Sequence, residues 1–242
     1  MTQTRPYQVI DIPAPSPQIT AAFENLPQDP FTPGGQRSRR FSQYRLTTGE
    51  QHDQPWRLEL LPHRPFLQPK AVNSVAGGIQ RPFEPLEIDP SAQVIAGAEA
   101  LGLDRGTDWQ INVHQCRVVS RPGVVGISVP EGPHRDGHDY GMLAVFAREN
   151  ITGGVTQLFP TGGGEPFFST VLQPNQALVY ADGAMWHTAT DIEALDERGG
   201  HRDLWIIAIN AWERRKYGEE FERAGLAGDG SAAVPVAVGD SR

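Results

Sequence analysis

EGPHRDGHDYGMLAVFARENITGGVTQLF, residues 131–159, sets two histidines and two aspartates directly before an apolar run. Its second half reads as strand, turn and strand: YGMLAVFA, a polar break that ends in Gly153 and Gly154, then VTQLF. Its first half offers metal-binding side chains at alternate positions. In extended chain, residues i and i+2 share a face roughly 6.6–7 Å apart, so His134 and Asp136 can converge on one ion. Adding His138 would stretch the set to roughly 13 Å, and Gly137 marks a break in the strand. The segment therefore supplies two ligands, and a third must come from elsewhere. His138 and Asp139 are left as supporting or turn residues.

Outward from this stretch, the same strand character continues. WQINVHQCRVVS, VVGISV, FFSTVL, QALVYA and DLWIIAINAW are short apolar runs between Gly, Pro, Asn and Asp clusters. That spacing predicts an antiparallel sandwich or barrel. RRFSQYRL (39–46) and PWRLELL (55–61) add two strands upstream. The clearest helix is 89–103, with Asp89 placed to cap, Pro90 in the first turn and Gly102 as the stop. One helical turn is expected near 19–26, and a closing helix near 212–226. Residues 1–36 carry repeated prolines and read as an irregular arm, 37–226 as one domain, and 227–242 as a disordered tail.

Composition narrows the partners. With 21 basic and 29 acidic side chains among 242 residues, the chain carries a net charge of −8 and no basic block beyond RSRR at 37–40. Nucleic acid and anionic membrane are poor partners for such a surface, and a small-molecule substrate suits it better. Cys116 is the single cysteine, which excludes an intramolecular disulfide and fits a reducing compartment. Its apolar surroundings predict a buried, inert thiol. The opening MTQTRPYQVIDIPAPSP has no apolar signal region and no run reaches eighteen apolar residues, so a cytoplasmic location is expected.

The best third ligand is His187, at the end of the run ALVYADGAMWH. Two histidines and one carboxylate on one face make a facial triad, which leaves three iron positions open. A bidentate 2-oxo acid can take two of these and dioxygen the third. Such a cosubstrate needs a cation for its far carboxylate, and the planar fork of arginine suits that task. Arg202 opens the strand RDLWIIAIN, where it shares a face with Leu204, Ile206 and Ala208. An inward arginine on an apolar face needs a partner.

The pattern HRD…GGVTQLF…WH…R resembles the iron(II)- and 2-oxoglutarate-dependent dioxygenases. The fuller strings RRFS, NVHQCRVVSRPG, PEGPHRDGHD and ARENITGG are similar to a narrower branch, the bacterial free L-amino-acid hydroxylases that include the L-isoleucine dioxygenases. The resemblance covers roughly residues 37–212. It implies a mainly β fold, a double-stranded β-helix (jelly roll, cupin-like) with a few flanking helices. It also implies Fe(II) bound by His134, Asp136 and His187, 2-oxoglutarate bound by Arg202, and O2 as oxidant. Two departures bear on the arginine: Leu204 stands where many members carry serine or threonine two residues on, and Arg198 in the preceding loop competes for the role.

The expected reaction is hydroxylation of an unactivated C–H of a free L-amino acid or amino-acid-like molecule, with succinate and CO2 released. Desaturation or cyclisation of a secondary-metabolite intermediate is the alternative. A zinc hydrolase or a jelly-roll protein with a structural metal is the weaker one, since structural zinc takes four protein ligands and only three are found. No catalytic side chain beyond the metal centre is expected. Candidates for substrate contact are Gln115 and Arg117 (sharing a face with Trp109, Ile111 and Val113), Glu131, Asp139, Arg148 and Trp186. Solvation at a sheet edge accounts for Gln115 and Arg117 equally well. A turn anchor beside Glu149 accounts for Arg148, and core packing accounts for Trp186 and Tyr180.

Overall fold

Alternating apolar positions and frequent turn residues produce strands wherever the chain is long enough to cross a sheet. The computed structural model describes residues 6–48, 55–70, 72–73 and 77–227. Along the chain come β1 (Tyr7–Asp11), α1 (Pro17–Ala22), β2 (Arg37–Thr47), β3 (Arg57–Leu60), α2 (Ser91–Leu101), β4 (Trp109–Ser120), β5 (Tyr140–Glu149) and β6 (Ile151–Gly153). They are followed by β7 (Thr156–Phe159), β8 (Phe168–Thr170), β9 (Gln176–Ala181), β10 (Trp186–Ala189), β11 (Ile192–Ala194), β12 (Gly200–Ala211) and α3 (Glu219–Leu226).

Seven strands form the major sheet in the order β1-β9-β5-β12-β4-β2-β3, and all its pairings are antiparallel. Two smaller sheets, β10-β7-β8 and β11-β6, lie against it. The order is far from sequential because the chain wraps between sheets, and the result is the mainly β jelly roll that was expected.

The two faces of the major sheet differ. Its outer face carries Ile111 and Val113 of β4, Trp205 and Ile207 of β12 and Val179 of β9, packed against Ile19 and Phe23 of the α1 segment and Val94 and Ala98 of α2. This is the main hydrophobic core. The inner face turns toward the small sheets and is only partly filled, by clusters around Leu158, Leu172 and Leu178 and around Cys116, Ile192 and Leu204. The remaining space is a cavity.

Several expectations need correction. The arm over 1–36 is not irregular throughout. Tyr7–Asp11 pairs with Gln176–Ala181 as an edge strand, and Ser16 caps α1 by accepting from Ile19 N. The closing helix is broken: a 3-10 turn spans Trp212–Arg214, and α3 begins only after Gly218, whose φ of 103° no helix tolerates. Between them, Lys216 N donates to Gln110 Oε1, and Tyr217 Oη donates to Pro62 O, which holds the segment extended. VVGISV forms no strand, only single bridges such as Gly126 to Ile192. In α2 the cap position is Pro90; Asp89 sits one residue further out and accepts from Ser91 N at 2.9 Å. Gly102 closes the helix in the left-handed region, as expected. The tail expected at 227–242 lies outside the described residues from 228 onward.

Candidate active site

The cavity opens between the inner face of the major sheet and β10, and His134, Asp136, His187 and Arg202 all line it. His134 and Asp136 do not stand on a strand as expected; residues 131–139 form an irregular loop. His134 nevertheless pairs with His187 through two backbone hydrogen bonds, His134 N to His187 O at 3.1 Å and His187 N to His134 O at 2.9 Å. This single bridge between loop and β10 brings the two imidazoles together. Asp136 Oδ1 then lies 3.5 Å from His134 Nε2, and its Oδ2 lies 3.3 Å from His187 Nε2. One ligand atom from each residue falls within 4.8 Å of the other two, a set that can hold a metal ion.

The histidines are oriented for that task. His134 Nδ1 shares a hydrogen bond with Gly132 O at 2.9 Å, so the proton belongs on Nδ1 and Nε2 is left to bind. Burial lowers the His134 pKa, but the neighbouring Asp136 carboxylate outweighs it and carries the value up to about 9. Burial likewise raises the Asp136 pKa, yet hydrogen bonds from the two histidines hold it well below the ordinary carboxylate range. His134 and Asp136 thus favour each other's charged forms, and a cation bound between them would displace the proton on His134 Nε2.

Asp182 fixes the loop, and the sequence gives no hint of that role. Its buried carboxylate accepts from Asp136 N (3.1 Å), Gly137 N (2.7 Å) and His138 N (3.0 Å). It also lies 3.7 Å from His187 Nδ1. Read locally, ADGA after a strand is merely a turn signal. Gln68 Nε2 donates to Asp136 Oδ1 at 3.2 Å, and the Lys216 ammonium donates to Gly137 O. Tyr180 Oη lies 3.3 Å from His187 Nε2, and its ring fits only because Gly141 has no Cβ to collide with it.

Arg202 is 2% exposed, and its Nε and one Nη have no hydrogen-bond partner. Burial, with Arg148 nearby, lowers its pKa to about 10, so it remains a cation at neutral pH. Thr156 Oγ1, also buried and without a partner, lines the same cavity from β7. Gly154 keeps the region open: a Cβ there would stand 2.8 Å from an Arg148 Nη and 3.5 Å from Arg202 Cδ. A desolvated cation facing a cavity with unused donors fits a carboxylate ligand. Its rival Arg198 is spent elsewhere: its side chain is 80% exposed and paired with Asp196 at 2.7 Å.

The expected substrate contacts divide. Glu131 lines the cavity and accepts from Asn73 Nδ2 at 3.0 Å. Gln115 and Arg117 do not line it, because the cavity belongs to the other face of β4, that of His114, Cys116 and Val118. Arg117 instead makes paired hydrogen bonds to Asp203 and Glu24. Asp139 accepts from Ala211 N and Arg214, Arg148 donates to Gly153 O at 2.7 Å, and Trp186 is absent from the cavity wall. Cys116 is buried as expected, with its thiol pKa raised by that burial.

A family model described as 2OG-Fe dioxygenase matches residues 20–208. The chain belongs to that family. The family's chemistry requires Fe(II), 2-oxoglutarate and O2, and the donor set and the orphaned arginine fit them. The structure of a BsmA homologue from Methylobium petroleophilum is 30% identical, with a TM-score of 0.69 over 81% of this chain and 80% of that one. IDO from Bacillus thuringiensis shares the fold at 18% identity and a TM-score of 0.62, covering 81% of each chain. The Fe(II)/α-ketoglutarate-dependent dioxygenase TqaL does so at 16% identity and 0.55, over 86% of this chain and 83% of that one. No curated protein matches the sequence. No helix among the described residues is long and apolar enough to cross a membrane.

Proposed function

We propose that this dioxygenase oxidises an unactivated C–H of a free L-amino acid or amino-acid-like small molecule, with hydroxylation as the outcome. His134, Asp136 and His187 are assigned to iron(II), and Arg202 with Thr156 to the distal carboxylate of 2-oxoglutarate. The observation that carries this reading is Arg202: a buried cation with unpaired nitrogens, lining the same cavity as the three metal-binding side chains.

Iron(II), 2-oxoglutarate and dioxygen together supply the oxidant, and 2-oxoglutarate is consumed to succinate and carbon dioxide as one oxygen atom passes to substrate. The chain's own residues orient and exclude. His134 keeps its proton on Nδ1 through Gly132 O, so Nε2 is free to bind. Asp182 holds the 136–138 backbone and so the direction of the Asp136 carboxylate. The guanidinium of Arg202 and the hydroxyl of Thr156 offer hydrogen bonds to one carboxylate from two different sheets, which sets how the cosubstrate enters. Leu143, Leu178, Leu204 and Ile206 line the cavity and keep water away from the reacting carbon.

The test is incubation with iron(II), ascorbate and 2-oxoglutarate against an amino-acid panel, reading succinate. Melting with manganese alone and with manganese plus 2-oxoglutarate gives a second readout: a hundredfold excess over Kd should add about 2.7 kcal/mol. Absence of any shift at saturation would remove the cosubstrate assignment. Product mass separates hydroxylation (one oxygen gained) from desaturation or ring closure (two hydrogens lost).

A further inference from the structure

Arg37 and Arg39 of β2 share its inner face, and the register sets Arg37 level with Arg202, the proposed cosubstrate arginine, and Arg39 level with Leu204. Val118 pairs with both Arg202 and Arg37, and Cys116 with both Leu204 and Arg39. Arg202 and Arg37 are thus level and two strands apart, about 10 Å by backbone at the usual strand spacing. Arg81 joins them from the loop that follows β3, and all three line the cavity at 8%, 7% and 7% exposure.

Three buried guanidiniums in one wall are costly unless their charge is answered. Some of it is. Asp29 lies 3.4 Å from Arg39 Nε, while its carboxylate also accepts from Phe31 N and Thr32 Oγ1. Glu131 stands on the cavity wall. Arg37 donates to the carbonyls of Ile127 and Ser128, and Arg81 to Gln68 Oε1 at 3.0 Å. Yet Arg37 Nε and Arg81 Nε are buried without a hydrogen-bond partner, and Arg39 Nε has only the long ion pair to Asp29. Among the described residues, these three positive charges face two carboxylates, Asp29 and Glu131, which leaves one positive charge unanswered there. Arg39 and Arg81 stack on Phe83 and Phe66 at 5.2 and 4.6 Å, an arrangement that fixes the guanidinium planes and leaves their edges for hydrogen bonding.

Resting on the dioxygenase reading above, we propose that Arg37, Arg39 and Arg81 form the receptor for the substrate's carboxylate, and that the substrate carries a net charge of −1. Free acidic amino acids and N-acylated amino acids meet that condition; zwitterionic neutral amino acids and amides do not. Arg81 is the closest link to the metal-binding set, through Gln68, whose Oε1 accepts from Arg81 and whose Nε2 donates to Asp136 Oδ1. A carboxylate docked on Arg81 therefore lies one side chain away from the reacting end of the cavity. Glu131 is positioned to accept from an ammonium or amide N–H of the same substrate.

The experiment uses the full chain loaded with manganese and 2-oxoglutarate, and a panel of amino acids each offered free, N-acetylated, and as the N-acetyl amide. Melting temperature reports binding; with iron(II), succinate above the substrate-free background reports turnover. The expected result is that panel members of net charge −1 stabilise and turn over at concentrations at least tenfold below their zwitterionic or amide counterparts. Arg81→Gln should erase that preference and raise the substrate KM at least tenfold, while the stabilisation by 2-oxoglutarate stays at the wild-type value. Arg81→Lys, which keeps the charge but loses the fork, should retain the preference with a raised KM, and it replaces Arg81→Gln should the latter not fold. The proposal is overturned if zwitterions or amides match the anions, if no anion stabilises the protein, or if Arg81→Gln acts on 2-oxoglutarate instead of substrate. Failure of 2-oxoglutarate to stabilise the wild-type protein would instead remove the dioxygenase assignment beneath it.

Discussion

Arg202 and Asp136 reach one cavity from backbones of opposite kinds. Arg202 stands on β12, hydrogen-bonded on one side to β4 and on the other to β5, so the register sets where its side chain starts. Asp136 stands on a loop with no ladder of its own, held by the Asp182 carboxylate, the Lys216 ammonium and the Gln68 amide. Backbone pairing is repeated along the strand and survives the loss of any one side chain. Side-chain anchoring is concentrated in a few groups, so a single substitution can release the loop. The proposed metal-binding half of the site should therefore be brittle where the proposed cosubstrate half is robust.

Direct removal of the proposed ligands sets the upper limit of that contrast. His187→Ala or Asp136→Ala should reduce substrate-dependent succinate to below a few per cent of wild type while far-ultraviolet circular dichroism is retained, since these groups line a cavity instead of filling the core. Asp182→Ala is the sharper probe. Three backbone N–H groups lose a charged acceptor whose hydrogen bonds are worth about 1.5–3 kcal/mol each, and manganese affinity should drop about ten- to a hundredfold. An unchanged manganese titration for Asp182→Ala would mean that the loop holds itself.

On the sheet side, Arg202→Lys keeps the charge and loses the fork. Loss of one charged hydrogen bond, about 1.5–3 kcal/mol, should raise the KM for 2-oxoglutarate roughly ten- to a hundredfold. Manganese affinity should not move, and a parallel loss of both would show the two halves to be coupled.

A smaller effect concerns pH. His138 is buried against the Asn210 side chain, and burial, with Lys216 nearby, pushes its pKa down to about 3. The unfolded chain takes up that proton near pH 6.5, so the contribution of neutral His138 is complete above 6.5 and is lost as pH falls toward 3. The slope attributable to this residue is at most about 1.4 kcal/mol per pH unit. His138→Gln should flatten the difference in urea-unfolding stability between pH 6.5 and 4.5, and equal slopes would contradict the assignment. Smallest of all, Arg198→Ala should leave KM and stability near wild type, because its partner Asp196 is itself on the surface.

The strands were legible because both halves of their signal are local: alternation along the run and turn residues at its ends. β4, β5, β9 and β12 fall close to the runs that announce them. The convergence of His134, Asp136 and His187 was legible because HRD and WH place these side chains in recognisable strings, even though the loop around His134 is not the strand that the spacing suggested. What escaped depends on contacts across long separations. Asp182 acts on a loop 44 to 46 residues earlier, and Gln68 reaches Asp136 from 68 residues away. Nothing near either residue in sequence announces it. The choice of face on β4 failed for a related reason. Both faces of that strand are buried, one under helices and one on the cavity, so alternation alone could not say which one holds ligand. RSRR announces a basic run and the start of a strand, but nothing local shows that Arg37 and Arg39 line the cavity.

The first strand has a bearing on how this protein can be handled. Tyr7–Asp11 covers the outer edge of β9, and Ala181 N is satisfied by Pro6 O. A version trimmed to begin at the RSRR run would strip that cover and leave the N–H and C=O groups of β9 open along its length, a template for pairing with a second chain. β9 also carries Tyr180 and leads directly into Asp182. Self-association seeded there would reach Tyr180 and Asp182, beside the proposed metal-binding residues, so loss of activity and loss of solubility should arrive together when residues 1–36 are cut.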